Sequence, residues 1–584
     1  MPVRTEKIWN VLSPKEDIEK ELCGSLNIEP LIAKILINRG ISSAEEADKF
    51  INMSLEDLHP PMLVDGMKEA VDRICDAVAG REKIIICGDY DVDGMSATSL
   101  LVGFFRDTGL EVFYYIPHRI NEGYGLNESI IRKIAADKYN LIITVDCGVT
   151  SFHEVAIAKE LGVDVIITDH HQVSETLPPA IAVLNPTKEG CGYPFKHLAG
   201  VGIAFKLITA LRTAMVEGGI ITKKDAPNLR RCLDLVALGT LADMVPLTGE
   251  NRVIVRFGLE EISKTKKTGL RAMKNLGNFG SRPMGAADVG FYFAPRLNAI
   301  GRLQSARKGV ELLTTDDRFK AKEIARLLDA ENSKRQAIQR KIFREVLDRI
   351  EKEVDVENDR AIILASEGWH PGVIGIVAAK VVERFYLPTV LMNMENGICR
   401  GSARSIPTFH IYNGLRMCKD TLLYFGGHKY AAGLSLESGM VAAFKKEFQR
   451  AVKEQFAGKV HNPVLDIDAV VPLAMLSHDV VEEIADLGPF GTANQYPLML
   501  SKGVRFASEP IFVGKDKEHV TFEVEADGCH ADGIAFGMAR QFRDTDITNG
   551  RFDIVYAPAL MSRGKISRTF QIRLRDFKRS VKNK

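Results

Sequence analysis

From Lys83 onward the apolar positions fall in short blocks, "KIIIC", "EVFYYIP", "LIITVDCG" and "DVIITDHH", separated by stretches of helical spacing. Each block holds four to eight residues, rich in β-branched or aromatic side chains. Such runs predict strands buried on both faces, and their alternation with helices predicts βαβ units in a parallel sheet. Residues 1 to about 80 read as helical, with Pro60 and Pro61 as a break. Between 317 and 354, Ile324, Leu327, Leu328, Ile338, Ile342, Val346 and Ile350 recur near helical spacing. That pattern predicts one long helix, and its irregular seam favours a domain connector over a free coiled coil.

After the long helix, "RAIILASEGWHPGVIGIVAAKVVERF" restarts the strand–loop–helix alternation. From Pro463 the helical spacing fades. "GVRFASEPIFVG", "HVTFEVEAD", "ADGIAFGM", "FDIVYAPALMS" and "TFQIRLRDF" are evenly spaced short strands, the pattern of a small closed barrel such as an OB-fold. The expected fold class is α/β: two α/β domains joined by a long helix, plus a C-terminal OB-like β-barrel. The expected divisions are 1–60 (N-terminal helical), 61–310 (parallel-sheet domain), 311–357 (connector), 358–460 (second α/β domain) and 461–584 (barrel with basic C-terminus). A chain of 584 residues has room for about three or four such cores.

Composition changes this picture little. The opening "MPVRTEKIWN" lacks a signal-type apolar core, and no run of about 18 apolar residues occurs, so a soluble cytoplasmic protein without membrane association is expected. Nine cysteines without a CxxC pair argue for reduced thiols and against a zinc ribbon. A net charge of +1 offers no general attraction for a polyanion. Locally, Arg563 to Lys584 carries nine basic residues against one acidic, either a solvated tail or a phosphate-binding segment.

Candidate chemistry gathers at the strand ends. In parallel sheets, ligands bind beyond the carboxyl ends of the strands. "GDYDVDG" places Asp89, Asp91 and Asp93 there, "ITVDCG" adds Asp146, and "IITDHH" adds Asp169, His170 and His171. Asp243 lies in the apolar segment "RRCLDLVALGTLADMVPL". Crowded carboxylates repel one another unless a cation sits among them. Taken singly, Asp93 or Ser96 could cap a helix beginning near Met95, and Asp243 could be a cap or an ion-pair partner. Four such elements together favour a metal centre. Carboxylates with admixed imidazole and no thiolate pattern suit Mn2+ or Mg2+, and there are enough for two ions.

"DYDVDG", "VDCG", "TDHH" and "LADMVPL" resemble the ordered motifs of the DHH phosphoesterase superfamily, and "RGSARS" (400–405) and "FGGHKYAAG" (425–433) resemble its DHH-associated second domain. "LAGVGIAFKL" and "APRLNAIGRL", with the trailing barrel, are similar to its bacterial single-strand-specific exonuclease branch. The resemblance implies 5′→3′ degradation of single-stranded DNA to 5′-mononucleotides, in repair and recombination. It puts Asp89, Asp91, Asp93, Asp146, His170 and Asp243 on the metals and His171 beside the scissile phosphate. One departure stands out: many members carry a histidine where this chain has Cys87, and Asp89 could replace that ligand.

A 5′-end pocket is expected from Ser402, Arg404 and His428, with Arg119 and Arg302 as further candidates, because arginine forks match phosphate oxygens. Surface ion pairing is the alternative for those arginines. Phe506, Phe512, Phe522 and Phe570 are either stacking platforms or barrel core. No GxxxxGK[ST] occurs, so a helicase partner, with a single-strand-binding protein, is expected for duplex ends, and the chain itself is expected to be a monomer. The competing readings are a DHH enzyme acting on short oligonucleotides or small phosphorylated nucleotides, and a non-catalytic replication scaffold.

Overall fold

The structure, a computed structural model, describes residues 6–118, 122–173, 175–355, 358–457, 461–560 and 570–580. It divides into two compact units. One comprises residues 60–243 and 258–463 with the first six residues; the other comprises 7–59, 244–257 and 464–584.

The first unit holds two sheets. Strands β1 (Ile84–Gly88), β2 (Phe113–Tyr115), β3 (Leu141–Val145), β4 (Asp164–Thr168) and β5 (Ala182–Leu184) pair in parallel in the order β2-β1-β3-β4-β5. All five residues of β1 and of β3 are buried, as continuous apolar runs require. "EVFYYIP" proves to be the edge strand, partly exposed, rather than one buried on both faces. The three-residue β5 was not expected, because so short a run carries no period to read.

Helix α1 (Val92–Asp107) follows β1 directly and packs against α2 (Gly200–Glu217) and α3 (Leu233–Asp243). These helices are buried nearly all round, so they show no amphipathic stripe. Helices α4 (Thr268–Leu276) and α5 (Ala294–Leu303) precede α6, the long helix Arg318–Glu353. Asp317 caps α6, accepting from the N–H groups of Phe319 and Lys320 at 2.8 and 3.2 Å. The irregular seam has a structural cause: Asn332, Arg335 and Gln339 are buried mid-helix, and the Arg335 guanidinium donates to Asn332 Oδ1 and Gln339 Oε1, both at 2.8 Å.

The second sheet, β6 (Ile362–Glu367), β7 (Thr389–Glu395), β8 (Ile398–Arg404), β9 (Tyr424–Gly427) and β10 (Ala431–Glu437), is mixed, ordered β9-β10-β8-β7-β6 with only β6 and β7 parallel. Helix α7 (Pro371–Phe385) packs across β7 and β8.

In the other unit, β11 (Ala469–Val470), β12 (Met499–Phe506), β13 (Ile511–Val513), β14 (His519–Ala526), β15 (Cys529–Ala535), β16 (Phe552–Leu560) and β17 (Phe570–Arg579) run in the order β11-β12-β16-β17-β15-β14-β13. A further β12–β14 pairing closes five of them into a barrel. The first 60 residues contribute more than helices: Ile8–Val11 is a strand parallel to Val464–Ile467, and Leu22, Leu31, Ile35 and Leu36 share the barrel's apolar cluster. Phe522 lies within this cluster and Phe506 packs against it, with ring centroids 5.5 Å apart, so this pair packs as core rather than as stacking platforms. Phe512 and Phe570 are partly buried against it. Part of the basic C-terminal run is no solvated tail but strand β17; residues 561–569 and 581–584 lie outside the described residues.

Candidate metal centre

The three aspartates after β1 do not converge on one point. Asp91 is the N-cap of α1, its Oδ1 accepting from the N–H groups of Asp93 and Gly94 at 2.9 and 3.1 Å. The cap expected at Asp93 or Ser96 therefore falls two or more residues earlier. Asp93 serves a different helix: Oδ2 accepts from Gly200 N–H at 2.7 Å and Oδ1 from Val201 N–H at 2.9 Å, at the start of α2. A buried carboxylate on the positive end of that helix is held in one orientation.

Asp146 follows β3 with a left-handed backbone, φ +61°, a conformation that aspartate tolerates better than most residues. Its N–H donates to Thr168 O at 2.9 Å. Gly200 is obligatory beside it, because a Cβ there would lie 2.6 Å from Asp146 Oδ1. The segment "LAGVGIAFKL" thus supplies two N–H donors and the space for a third carboxylate, roles its sequence did not disclose.

Ligand atoms form two neighbouring sets and a third that bridges them. Those of Asp89, Asp91 and Asp146 lie within 4.8 Å of one another, so do those of Asp93, His170 and Asp243, and so do those of Asp146, His170 and His171. His170 Nε2 joins the sets, 3.1 Å from Asp146 Oδ1, 3.6 Å from Asp243 Oδ2 and 4.0 Å from Asp93 Oδ2. Cys87, in the position of the family histidine, packs into an apolar cluster, and burial pushes its thiol up to about 12. It offers no thiolate, whereas Asp89 stands within ligand distance of Asp91 and Asp146.

Electrostatics test the fit of a cation. Burial, then the charge of Asp91, lifts the Asp93 carboxyl to about 7. Burial, then the charges of Asp93 and Asp91, lifts Asp243 to about 8. Burial and four neighbouring carboxylates hold Asp146 well above the carboxylate range. Asp243 also closes α3 at its C-terminus, the negative end of the helix dipole. Burial pushes His170 down to about 4, so its imidazole is neutral, the form that ligates metals. Asp146 Oδ1 and His170 Nε2 are buried without a hydrogen-bond partner among the described residues. Oxygen-rich, partly orphaned and mutually repelling, this donor set fits divalent manganese or magnesium.

His171 is held differently. Its Nδ1 lies 2.7 Å from Asp169 Oδ1, while Asp169 also accepts from the N–H groups of Val149, His170 and His171. Burial alone would depress the imidazole, but the hydrogen bond and charge of Asp169 outweigh it and lift His171 to about 9. At neutral pH it is a cation beside the two ligand sets. Tyr124, to which sequence reasoning assigned no role, donates to Asp146 O at 3.0 Å and lies 3.1 Å from His171 Nδ1.

Of the residues expected at a 5′ end, three meet at the start of α7. Arg302 Nη1 donates to Gly372 O at 3.1 Å. One turn on, a Cβ at Gly375 would lie 2.8 Å from Arg404 Nη2 and 3.2 Å from Ser402 Oγ, so only glycine leaves room for both. His428 stands exposed in the β9–β10 turn, its main-chain N–H bonded to Ala431 O at 2.8 Å. No hydrogen bond among the described residues joins its side chain to the other three. Arg119 lies outside the described residues.

Comparison with known proteins places these domains in a family. Family profiles match the DHH family N-terminal domain over residues 83–240, the DHHA1 domain over 358–456 and the RecJ OB domain over 467–576. The single-stranded-DNA-specific exonuclease RecJ of Bacillus subtilis is 38% identical over 94% of this chain and 68% of its own length. That of Escherichia coli is 35% identical over 88% of this chain and 89% of its own. The crystal structure of RecJ in complex with Mn2+ from Thermus thermophilus superposes with a TM-score of 0.82 at 28% identity, covering 98% of this chain and 80% of that one. A second crystal structure, of exonuclease RecJ bound to manganese, matches with a TM-score of 0.59 at 33% identity, over 70% of this chain and 99% of that one. Ordered DHH motifs, the DHH-associated domain and the barrel occur here in one chain, which belongs to the RecJ family of single-stranded-DNA-specific exonucleases.

Proposed function

We propose that this chain is a metal-dependent exonuclease that degrades single-stranded DNA in the 5′→3′ direction to 5′-mononucleotides, in DNA repair and recombination. The observation that carries the reading is the pair of abutting ligand sets, with Asp146 and His170 at their junction and a cationic His171 beside them. Asp89, Asp91 and Asp146 would hold one divalent ion, and Asp93, His170 and Asp243 the other. When bound, such ions activate water and offset charge on the phosphoryl oxygens. Asp93, fixed by two α2 N–H groups, and Asp146, fixed by Gly200, present their oxygens without rearrangement. Asp169 orients His171 and keeps it protonated, leaving Nε2–H to donate to a phosphoryl oxygen or to the departing 3′-oxygen. Strands labelled at either end, incubated with Mn2+, Mg2+ or chelator, test the reading. Mononucleotides are released first from the 5′ end with either ion and not with chelator; release from the 3′ end, or cleavage in chelator, would refute it.

Arg302, Ser402 and Arg404 receive the 5′-terminal phosphate at the start of α7, where helix N–H groups and guanidinium forks both favour an anion. Arg404→Ala therefore lowers kcat/KM on 5′-phosphorylated strands by roughly tenfold or more, the worth of one charge-assisted hydrogen bond. Strands with a 5′-hydroxyl lose less. Equal losses on both kinds of end would argue against the pocket.

Among the described residues no helix is long and apolar enough to cross a membrane. A cytoplasmic monomer, working beside a helicase and a single-strand-binding protein, accords with that and with a sequence lacking a GxxxxGK[ST] loop.

A further inference from the structure

Within the unit that carries the metal centre lies a second concentration of positive charge that the chemistry above does not use. Helix α4 packs beside the first turns of α6, and between them opens a cavity of about 500 Å3 whose lining includes Arg271, Leu276, Arg318, Lys322, Ala325 and Arg326. Arg318, Lys322 and Arg326 are spaced four apart, so their heads follow one another along one face of α6. No acidic side chain lines the cavity. Among the described residues, none of the four cations is engaged in a hydrogen bond or ion pair. Their neighbours are: Lys267 pairs with Asp234, Arg296 with Asp329 and Lys320 with Glu311. Like charges one turn apart repel, and among the described residues no acidic side chain stands within ion-pair distance of them. Beside Arg318, Phe319 is 87% exposed, the most exposed large apolar side chain among the described residues.

The cavity is remote from the metal ligands. Asp93 and Arg106 stand at opposite ends of α1, about 20 Å apart along its axis. Arg106 Nη1 donates to Thr314 O at 2.8 Å and pairs with Asp316 at 3.1 Å, immediately before α6 begins. The start of α6 therefore neighbours the end of α1 that points away from the ligand sets.

We propose that this groove is an exosite for the phosphate backbone of a nucleic-acid strand. Three of its four cations are arginines, whose planar forks match phosphate oxygens bidentately. Phe319 offers a base a free ring at the head of α6, and Leu276 and Ala325 give the groove an apolar floor. A run of Asp and Glu alone shares the charge but leaves the exposed ring unused, whereas each base of a strand brings a π-face to it. The exosite rests on the nuclease reading for its purpose: it keeps a long strand near the metal centre between cleavages, raising its effective concentration there.

The test uses the full chain carrying Arg271→Glu with Arg326→Glu, the same pair changed to lysine, or Phe319→Ala. Binding is read by fluorescence anisotropy in chelator, and cleavage in Mn2+, on thymidine strands of about 50 and about four nucleotides, the latter too short to span both sites. Charge reversal weakens binding of the long strand roughly tenfold at ~0.1 M salt and lowers the slope of log K against log salt by about 1.4, the value for two phosphate contacts on a single strand. The lysine pair retains most of the affinity. Phe319→Ala loses roughly fivefold or more with the slope unchanged, because stacking releases no counterions. The kcat and KM for the short strand stay at the wild-type values, which also shows that the variants fold. Unchanged affinity and slope on the long strand would overturn the proposal. So would an equal loss on the short strand, or a charge reversal that abolishes capture of an Asp/Glu-rich peptide while long-strand binding persists. Should the wild-type chain cleave no DNA, the nuclease reading falls, and the binding measurements still decide the exosite.

Discussion

Asp146→Asn reduces cleavage of single-stranded DNA by roughly 10³-fold or more, the several kcal/mol that metal ions contribute to phosphoryl transfer. Binding of the strand in chelator stays within about twofold of wild type, since phosphate contacts elsewhere on the chain carry affinity. Asp146 stands where the ligand sets meet. Its ligand atoms group with Asp89 and Asp91 on one side and with His170 on the other, so its loss degrades both ion sites, whereas a change at Asp89 or Asp243 touches one. Asparagine keeps the shape and tolerates the left-handed backbone at φ +61°, so the effect is one of charge rather than folding. Thermal unfolding of the metal-free variant checks this: removing one carboxylate from a crowded, buried group leaves the melting temperature unchanged or raises it. A variant with near wild-type turnover in Mn2+ would be irreconcilable with shared ion sites.

Stabilisation by Mn2+ grows as pH rises from about 6 to about 8.5, and this is the second large effect. In the metal-free chain Asp93 and Asp243 are lifted from 3.8 to about 7 and about 8. A carboxyl raised on folding contributes stability that is fully present below its unfolded value and is lost as pH rises through its folded value. The metal-free protein therefore loses stability through this window as the buried carboxylates ionise against one another. Mn2+ binds the ionised form and removes that loss, so apparent affinity rises roughly tenfold per pH unit for each proton displaced. Melting curves with and without Mn2+ at several pH values, with calorimetry in buffers of different ionisation enthalpy, read both the widening gap and the released protons. A metal-induced shift independent of pH, with no proton release, would mean that the carboxylates are not the ligands.

Much of this was legible in the chain because strand-end chemistry is local. A buried strand shows itself as an apolar run, and a ligand site beyond its carboxyl end follows from sheet topology, so the aspartates after β1, β3 and β4 announce themselves in short windows. Asp243 was legible for a related reason: a carboxylate in an apolar helix needs a partner. The long helix and the barrel strands were likewise written in periodicity, which each segment carries by itself.

Other features depend on which distant segments meet. That Asp93 caps α2 while Asp91 caps α1, and that Gly200 clears space for Asp146, follows from the packing of α1 against α2, over a hundred residues apart in sequence. The grouping of six candidate ligands, the holding of His171 by Asp169 beside Tyr124, and the gathering of Arg302, Ser402 and Arg404 around α7 are of the same kind. So is the groove of unpaired cations between α4 and α6, whose residues look like ordinary solvated charge in the sequence. Residue order alone determined the strands, the helices and the chemical inventory at their ends, because propensity and hydrophobic period act between near neighbours. Distances between carboxylates, and hence their protonation and their capacity to share cations, were decided only by the tertiary structure, because electrostatic energy depends on separation and burial in space.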